Sequence, residues 1–458
     1  MSMWLIPAVA LGFGSSKPTT PTCTSEEPPP KYTGKIDYAI SAYGKSCLET
    51  EANCYNRYSP YIPMNLEVES GSIVEFKTRD LWDQPGWDKT EAPDADANFD
   101  LAYGDLAVVH IITGPVAVKG AKAGDKLAIE ILDITPLEKG FTMADTPLGF
   151  MDNVQSEDQP FGNAPESYRA WCWWDYMPEK GGWVSATFED VVIPYEPFPG
   201  SIGVLPSLET VKMKLDHHGN ESTLYGGPQW AVNTEMAVPS SVCGAGGSAP
   251  ETCLRTLAGG DYFGNTDTQR MGVGTTLFLE CEVDGCGVGT GDVHGAQGDG
   301  EVSITAIEME ASVVMKLTLI KKGDPGFAKP VPSMYGTTSI KRMSPGEFIS
   351  FMGFPFKETG AVPSQYKYAP SVAKALVSSK IIPESMSLAG ANALLKACTF
   401  LMDNAGYSFG EAMIIASVSV DLRVAQLVDK PAVGMEAIID LSIFKGALYD
   451  KMKAAATM

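Results

Sequence analysis

Residues 289–301 constrain this chain most, because glycines there separate four side chains that can bind a metal ion or carry protons. These side chains are Asp292, His294, Asp299 and Glu301. Glycine lets the backbone bend such groups into one small volume. Asp292 and His294, two residues apart, would share a face of a strand and suit one metal ion. An acidic surface turn is the other interpretation, but with only four histidines in the chain a site that activates water is favoured.

The flanking patterns predict a mainly β protein. Apolar runs at 275–279 and 302–307 predict strands that lead into and out of the glycine-rich stretch. Alternation at 65–68 and 73–77 predicts a hairpin. Further strands are predicted at 106–110, 126–132 and 313–320, and a long loop at 235–265.

The pattern changes after residue 326. Helical spacing predicts a helix over 387–404, and Ser408 with Glu411 predicts a capping box for the next one. An alternating strand over 418–424 follows. Together these predict a C-terminal α/β portion.

Charge excludes some partners. A net charge of −22 argues against nucleic acid or an anionic membrane as a partner. The same charge favours binding of a cation and has little effect on binding of a small neutral substrate. The apolar run in the first fourteen residues is too short for a membrane span. It is followed by a Pro- and Ser-rich segment, so residues 1–40 are predicted to be a secretion signal or a disordered tail.

Six of the nine cysteines form three close pairs in loops: Cys47 with Cys54, Cys243 with Cys253, and Cys281 with Cys286. Such pairs predict a disulfide framework whose connectivity the sequence leaves open. They favour the secretory pathway over the cytoplasm.

Residues 287–308 resemble the acetamidase/formamidase family, whose hallmark is a Gly-Asp-x-His run followed by Gln-Gly-Asp-Gly-Glu. The resemblance extends over residues 54–445. The other matching blocks, in family order, are 56–60, 113–115 with 120–125, 132–134, 200–207 and 421–424.

The resemblance implies a jelly-roll-like β-sandwich with an α+β subdomain, in addition to the C-terminal α/β portion. Residues 41–325 would form the β-rich amidase body and 326–458 would complete the same fold. It implies a hydrolase of short linear amides such as formamide and acetamide, which releases ammonia and a carboxylate and can assemble as a homo-oligomer. The alternative is a catalytically silent secreted β-sandwich that binds a cation or small ligand. A larger substrate is favoured if the aromatic cluster around Trp173 opens onto the site.

No Gly-x-Ser-x-Gly elbow and no cysteine in a convincing context is present, so the chemistry is assigned to activated water. Glu301 is predicted to be the general base that later protonates ammonia, and Asp299 to orient the ligands. The remaining assignments are Gln297 as catalytic; Asp292, His294, His110 and Asp80 as ligands of a divalent metal ion, zinc or calcium; and Gly114, Gly264 and Asn265 as substrate-binding. His217 and His218 are predicted to be surface residues.

Two blocks depart from the family pattern. In the family, the position of Asp80 is followed by an aromatic residue or alanine and then Gly-Gly-Gln, whereas this chain has Leu81-Trp82-Asp83-Gln84. The family's Arg-Glu-Asn-Gly-Gly-Asn stretch is reduced to Asp261-Tyr262-Phe263-Gly264-Asn265, and Asp267 is kept. These differences leave open a changed substrate or a lost activity.

Overall fold

The computed structural model describes residues 32–83, 108–145, 149–150, 168–218, 234–257, 259–336, 347–355, 374, 377–378, 382, 385–426 and 433–457. Most of the predicted tail, the start of the predicted strand 106–110 and the side chains of His217 and His218 lie outside this range.

The first of two large sheets has six strands in the order β1-β5-β18-β7-β15-β19. Apart from the parallel pair β1 and β5, neighbouring strands are antiparallel. The strands are β1 (Tyr38–Ser41), β5 (Ser72–Lys77), β7 (Lys126–Pro136), β15 (Thr275–Glu280), β18 (Ala311–Ile320) and β19 (Ser333–Gly336).

The second sheet has eleven strands, with the path β11-β10-β9-β8-β17-β16-β12-β14, and β6 joins it by pairing with β16, β2 and β4. Its strands are β2 (Cys54–Tyr55), β4 (Leu66–Val68), β6 (Ile112–Val118), β8 (Gly140–Asp145), β9 (Arg169–Met177), β10 (Gly182–Val184), β11 (Ile193–Pro194), β12 (Phe198–Gly203), β14 (Phe263–Asn265), β16 (Val288–His294) and β17 (Glu308–Met309). A separate short pair joins β3 (Arg57–Tyr58) to β13 (Leu254–Arg255).

One continuous core lies between these sheets. On β5 and β7 buried and partly exposed residues alternate, since successive side chains point to opposite faces, and Phe76 and Ile129 face inward. In contrast, every residue of β6, β12 and β16 is buried. Any polar side chain on these three strands is therefore removed from bulk water.

The C-terminal region adds a three-stranded antiparallel sheet in the order β20-β22-β21. Its strands are β20 (Phe348–Gly353), β21 (Val420–Gln426) and β22 (Gly434–Asp440). The α-helices along the described chain are α1 (Cys47–Thr50), α2 (Leu208–His218), α3 (Ser240–Cys243), α4 (Met386–Ala405), α5 (Phe409–Ser419) and α6 (Gly446–Thr457). Ser385 caps the start of α4 and Gly406, at φ +83°, ends it. The capping box at Ser408 and Glu411 is confirmed.

The prediction of a mainly β fold with several sheets and a C-terminal α/β portion is confirmed. Among the described residues no helix is both long and apolar enough to cross a membrane. The domain limits at residues 41, 325 and 326 stay a prediction, although β19 lies beyond 325 and pairs with β15 of the body.

Several local predictions were wrong. The segments 65–68 and 73–77 do form strands, but β4 pairs with β6 and β5 with β1 and β18, so they are no hairpin. The glycine-rich stretch begins as the central strand β16, whereas the predicted strand 302–307 is irregular, with Ile304 at φ +82°. Residues 108–110 are also irregular, and 235–265 contains α3, β13 and β14. Strand pairing depends on partners distant in the chain, which local patterns do not reveal.

The three cysteine pairs form the disulfides Cys47–Cys54, Cys243–Cys253 and Cys281–Cys286. Each closes a short loop, because the bonded cysteines are only 7, 10 and 5 residues apart in the chain. The predicted framework is thus present, and the structure supplies its connectivity.

Candidate active site

Strand β16 carries Asp292 and His294 into the buried centre of the eleven-stranded sheet. Their exposed fractions are 3% and 1%. In the sheet register His294 lies opposite Phe198 of β12 on one side and Glu308 of β17 on the other. Because opposed residues of neighbouring strands share a face, this register places the Glu308 carboxylate beside the imidazole.

The imidazole of His294 is surrounded by carboxylates. Its Nε2 lies 3.3 Å from Glu308 Oε2, 3.6 Å from Asp292 Oδ1 and 3.7 Å from Glu301 Oε1. Asp267 completes the set, since ligand atoms of Asp267, His294 and Glu301 lie within 4.8 Å of one another. Four carboxylates therefore converge on one histidine.

Three of these four acidic residues have a left-handed backbone. The φ angles are +44° at Asp267, +53° at Asp292 and +43° at Glu301. Such a conformation costs roughly 1–3 kcal/mol for a residue other than glycine, and it persists only where the surrounding structure enforces it. The fold accepts this strain where it positions the carboxylates.

A second histidine approaches Asp292 from the other side. His110 Nε2 lies 3.7 Å from Asp292 Oδ2, and Thr256 accepts and donates hydrogen bonds at the His110 backbone. Ser201 lies between Asp292 and Asn265: its Oγ is 3.4 Å from Asp292 Oδ2 and 3.0 Å from Asn265 Oδ1. Asp292 is thus held between two imidazoles and a hydroxyl.

Gly200 of β12 lies directly against the cluster. A Cβ atom there would be 2.6 Å from His294 Cε1, 2.7 Å from Asp267 Oδ1 and 2.8 Å from the Asp292 carbonyl oxygen. Every other residue type would therefore push into the cluster, and glycine is required for the close approach.

The crowded charges shift the proton affinities of the cluster. Burial raises the pKa of Asp292, but His110 and His294 outweigh it and hold the pKa at about 2. Burial, reinforced by neighbouring carboxylates, raises the pKa of Asp267 to about 8 and raises those of Glu301 and Glu308. Burial lowers the pKa of His294, yet Glu308 and Asp292 lift it well above its usual value. Ionising all four acids together is therefore unfavourable without added positive charge.

The donor set fits a divalent cation. Two groups of ligand atoms, from Asp267, His294 and Glu301 and from Asp292, His294 and Glu308, lie within 4.8 Å. Among the described residues, His294 Nε2, Asp267 Oδ1 and Glu308 Oε2 are buried without a hydrogen-bond partner. Buried polar atoms normally have partners, and a cation would satisfy these and offset their charge.

Comparison with known proteins agrees with this arrangement. The model of the Acetamidase/Formamidase family matches residues 42–446. The chain belongs to the acetamidase/formamidase family.

Members of this family and its fold are similar to the chain over most of its length. A putative formamidase of Schizosaccharomyces pombe is 28% identical over 328 residues, which cover 68% of the chain and 74% of that protein. A formamidase of Methylophilus methylotrophus is 27% identical over 330 residues, with coverages of 69% and 75%. The solved structure of a gamma lactamase from Delftia acidovorans has a TM-score of 0.73 at 24% identity and covers 90% of the chain and 94% of its own. The match to the family model shows the family, and the similarity to the solved structure shows the fold.

Membership in the acetamidase/formamidase family confirms the prediction of an amide hydrolase. Of the predicted site residues, the structure brings Asp292, His294, Glu301 and His110 together. Asn265 reaches them through Ser201. The roles assigned to these residues remain predictions.

The other predicted residues lie around this cluster in different ways. Gln297 is buried and its amide donates to the Asp267 carbonyl. The Asp299 carboxylate is 3.8 Å from Arg423 Nε, and its backbone N–H donates to Asp421. Asp80 pairs with the buried Arg79 at 3.1 Å. The side chains of Asp299 and Asp80 thus each lie close to an arginine.

The two predicted substrate-binding glycines serve the sheet. Gly114, at φ +135°, packs on β16, where a Cβ would be 2.7 Å from the Val288 carbonyl oxygen. Gly264, at φ +74°, lies opposite Ile202 in the β12–β14 pair. The close approach at Gly114 and the left-handed backbone at Gly264 each require glycine, and the substrate-binding role of the two residues stays a prediction.

Glu308 and Asp267 were missed as members of the site. Glu308 and Glu310 alternate with Ile307, Met309 and Ala311, so carboxylates in an otherwise apolar segment were the available signal. Asp267 was recognised only as a retained family position. Neither the register of β17 nor the backbone turn at Asp267 is visible in the sequence.

The environment of Cys172 argues against a role as nucleophile. The thiol is buried, and burial raises its pKa to about 12. It therefore stays protonated at neutral pH, where a nucleophilic cysteine must be a thiolate.

Proposed function

We propose that this family member hydrolyses the C–N bond of primary amides by direct attack of water at the cluster around His294. The observation that carries the proposal is the convergence of Asp267, Asp292, Glu301 and Glu308 on one buried imidazole. The two similar proteins, both formamidases by name, support amides as the substrate class.

Glu301 is proposed as the proton carrier. Its side chain is 18% exposed, whereas Asp292 and Glu308 are 3% and 4% exposed, so it is the carboxylate of these three that is open to substrate and solvent. Burial, reinforced by Asp267, raises the pKa of Glu301, so its protonated form holds a proton for the leaving nitrogen more readily than an ordinary glutamic acid would. Glu301 would take a proton from the attacking water and deliver it to the leaving nitrogen. The water oxygen bonds to the carbonyl carbon, the C–N bond breaks, and ammonia and a carboxylate leave.

Asp292 is proposed to position the two histidines. With a pKa of about 2 it is ionised throughout the neutral range and attracts both His294 and His110. In this structure His294 favours its protonated form, and it would have to lose that proton to ligate a metal ion.

We also propose that the cluster holds a divalent cation, zinc before calcium, because an imidazole among the donors suits zinc better. Asp292, His294 and Glu308 would hold it, which leaves the Glu301 carboxylate to carry the proton. A bound cation would polarise the amide carbonyl and lower the pKa of water.

Ammonia release from formamide and acetamide tests the reaction. Glu301→Gln should lower kcat by about 10²- to 10⁴-fold, as expected for loss of a general acid–base group. Glu280→Gln is the matched control, since Glu280 is exposed at the end of β15. Chelation should abolish release and zinc should restore it. No release from either amide by folded, zinc-loaded protein would contradict the proposal and favour the silent cation-binding module.

We further propose that the chain folds in an oxidising compartment, supported by three short-range disulfides. Alkylation of the protein from its native source before and after reduction counts the bonded cysteines, and fully reactive cysteines would contradict this. Homo-oligomerisation stays a prediction that sedimentation would decide.

A further inference from the structure

In the eleven-stranded sheet, a row of paired residues leads from His294 across three neighbouring strands to an aromatic cluster. His294 of β16 lies opposite Glu308 of β17, Glu308 lies opposite Phe141 of β8, and Phe141 lies opposite Trp173 of β9. Opposed residues of adjacent strands share a face of the sheet. Phe141 is therefore the neighbour of Glu308 on the next strand, and neighbouring strands lie about 5 Å apart.

Phe141 belongs to an aromatic cluster that is separate from the main core. Its ring centroid is 5.0 Å from that of Trp171 and 5.3 Å from that of Trp173. Phe141 itself is 3% exposed, whereas Trp171 and Trp173 are only partly buried. Their neighbours Cys172 and Trp174 point to the opposite face and belong to the main core. The two indoles thus present a partly open apolar surface on the face that carries Glu308.

The same cluster meets the site from the His110 side. Val109 and Leu257 belong to it, and each directly adjoins one member of the contact between His110 and Thr256. Leu257 also accepts a hydrogen bond from Asn265, which reaches Asp292 through Ser201. The aliphatic members of the cluster consequently adjoin residues that contact Asp292, on the side where an acyl group larger than formyl or acetyl would extend.

We propose that the partly exposed Trp171, Trp173 and Leu257, which pack on the buried Phe141 and Val109, form a surface that binds the acyl group of the substrate, and that the substrates are primary amides bearing an aryl group. The inference rests on the proposed function of the site. Formamide has no group to reach the surface, whereas the ring of benzamide or phenylacetamide spans about one strand spacing. Offset or edge-to-face packing against the indoles would favour an aromatic ring over an aliphatic chain.

The test compares kcat/KM for formamide, acetamide, benzamide and phenylacetamide. The aryl amides should exceed formamide in the native protein, and Trp173→Ala should lower the ratio of phenylacetamide to formamide at least about 10-fold, with Trp173→Phe in between. Trp174→Phe is the matched control, because Trp174 lies one residue away on the opposite face and donates its indole N–H to Thr142. It should lower stability without changing that ratio.

The outcomes separate this inference from the proposed function. Hydrolysis of formamide and acetamide but not of aryl amides would overturn the aryl surface alone, as would an equal loss for all substrates in Trp173→Ala. If no amide is hydrolysed, the proposed function fails, and tryptophan fluorescence decides the surface independently. Saturable quenching by phenylacetamide that Trp173→Ala removes would support the surface, and its absence in the native protein would overturn it.

Discussion

Gly200→Ala tests whether the geometry of the acidic cluster matters for catalysis. The added methyl group would lie 2.6 Å from His294 Cε1 and 2.7 Å from Asp267 Oδ1, whereas ordinary van der Waals contact begins at 3.4 Å. The imidazole or the backbone of β12 must therefore move by about 0.8 Å, the difference between these distances. A displacement near 1 Å at a catalytic group can cost about 100-fold in rate, so we expect kcat/KM for the preferred amide to fall about 100-fold.

The same substitution should cost only about 1–3 kcal/mol of unfolding free energy, the usual cost of overpacking. Urea unfolding measures this cost, and the amide assay under identical conditions measures the rate. Gly246→Ala is the control, because a Cβ there meets no atom within 4 Å. A Gly200→Ala protein that keeps more than a third of native kcat/KM would refute the view that this cluster is the catalytic centre.

Three further predictions concern stability and roles. Replacing Cys47 and Cys54 by serine should lower the unfolding free energy by about 2–3 kcal/mol, from the entropy of the short loop, and an unchanged urea midpoint would count against a formed disulfide. Burial raises the pKa of Asp267 to about 8, so Asp267 destabilises the folded state increasingly as the pH rises from about 4 to 8. In chelator-treated protein, Asp267→Asn should therefore raise the melting temperature at pH 8 but not at pH 4. Equal effects at the two pH values would exclude this titration. Asp299→Asn should reduce kcat less than Glu301→Gln, since its carboxylate faces an arginine, and equal losses would restore Asp299 to the catalytic group.

Local signals predicted the C-terminal region well. The helix predicted over 387–404 is Met386–Ala405, because its apolar spacing, serine cap and terminal glycine all act within the helix itself. The capping box at Ser408 and Glu411 is equally local. The strand after it begins at Val420 rather than 418, since α5 continues to Ser419.

Strand partners could not be predicted in this way. The strands β4 and β5 look like a hairpin in sequence, yet each pairs with distant segments in different sheets. The sequence left open whether the glycine-rich stretch is a surface turn or a strand. Its first part forms β16, where Gly291 and its neighbours allow β6 and β12 to lie against both edges. A side chain at Gly291 would meet the Ile111 backbone at 2.1 Å, a constraint that only the packed sheet reveals.

The sequence by itself determined the chemistry that this protein has available: Asp292, His294 and Glu301 are brought near one another by a short glycine-rich segment, and no serine or cysteine nucleophile competes with them. Only the tertiary structure decided which other groups join them. Glu308 arrives through the pairing of β17 with β16, Asp267 through a left-handed backbone after β14, and His110 through its contacts with Thr256. These contacts join residues far apart in the chain, so their positions depend on how the sheet closes around β16 and not on any local preference.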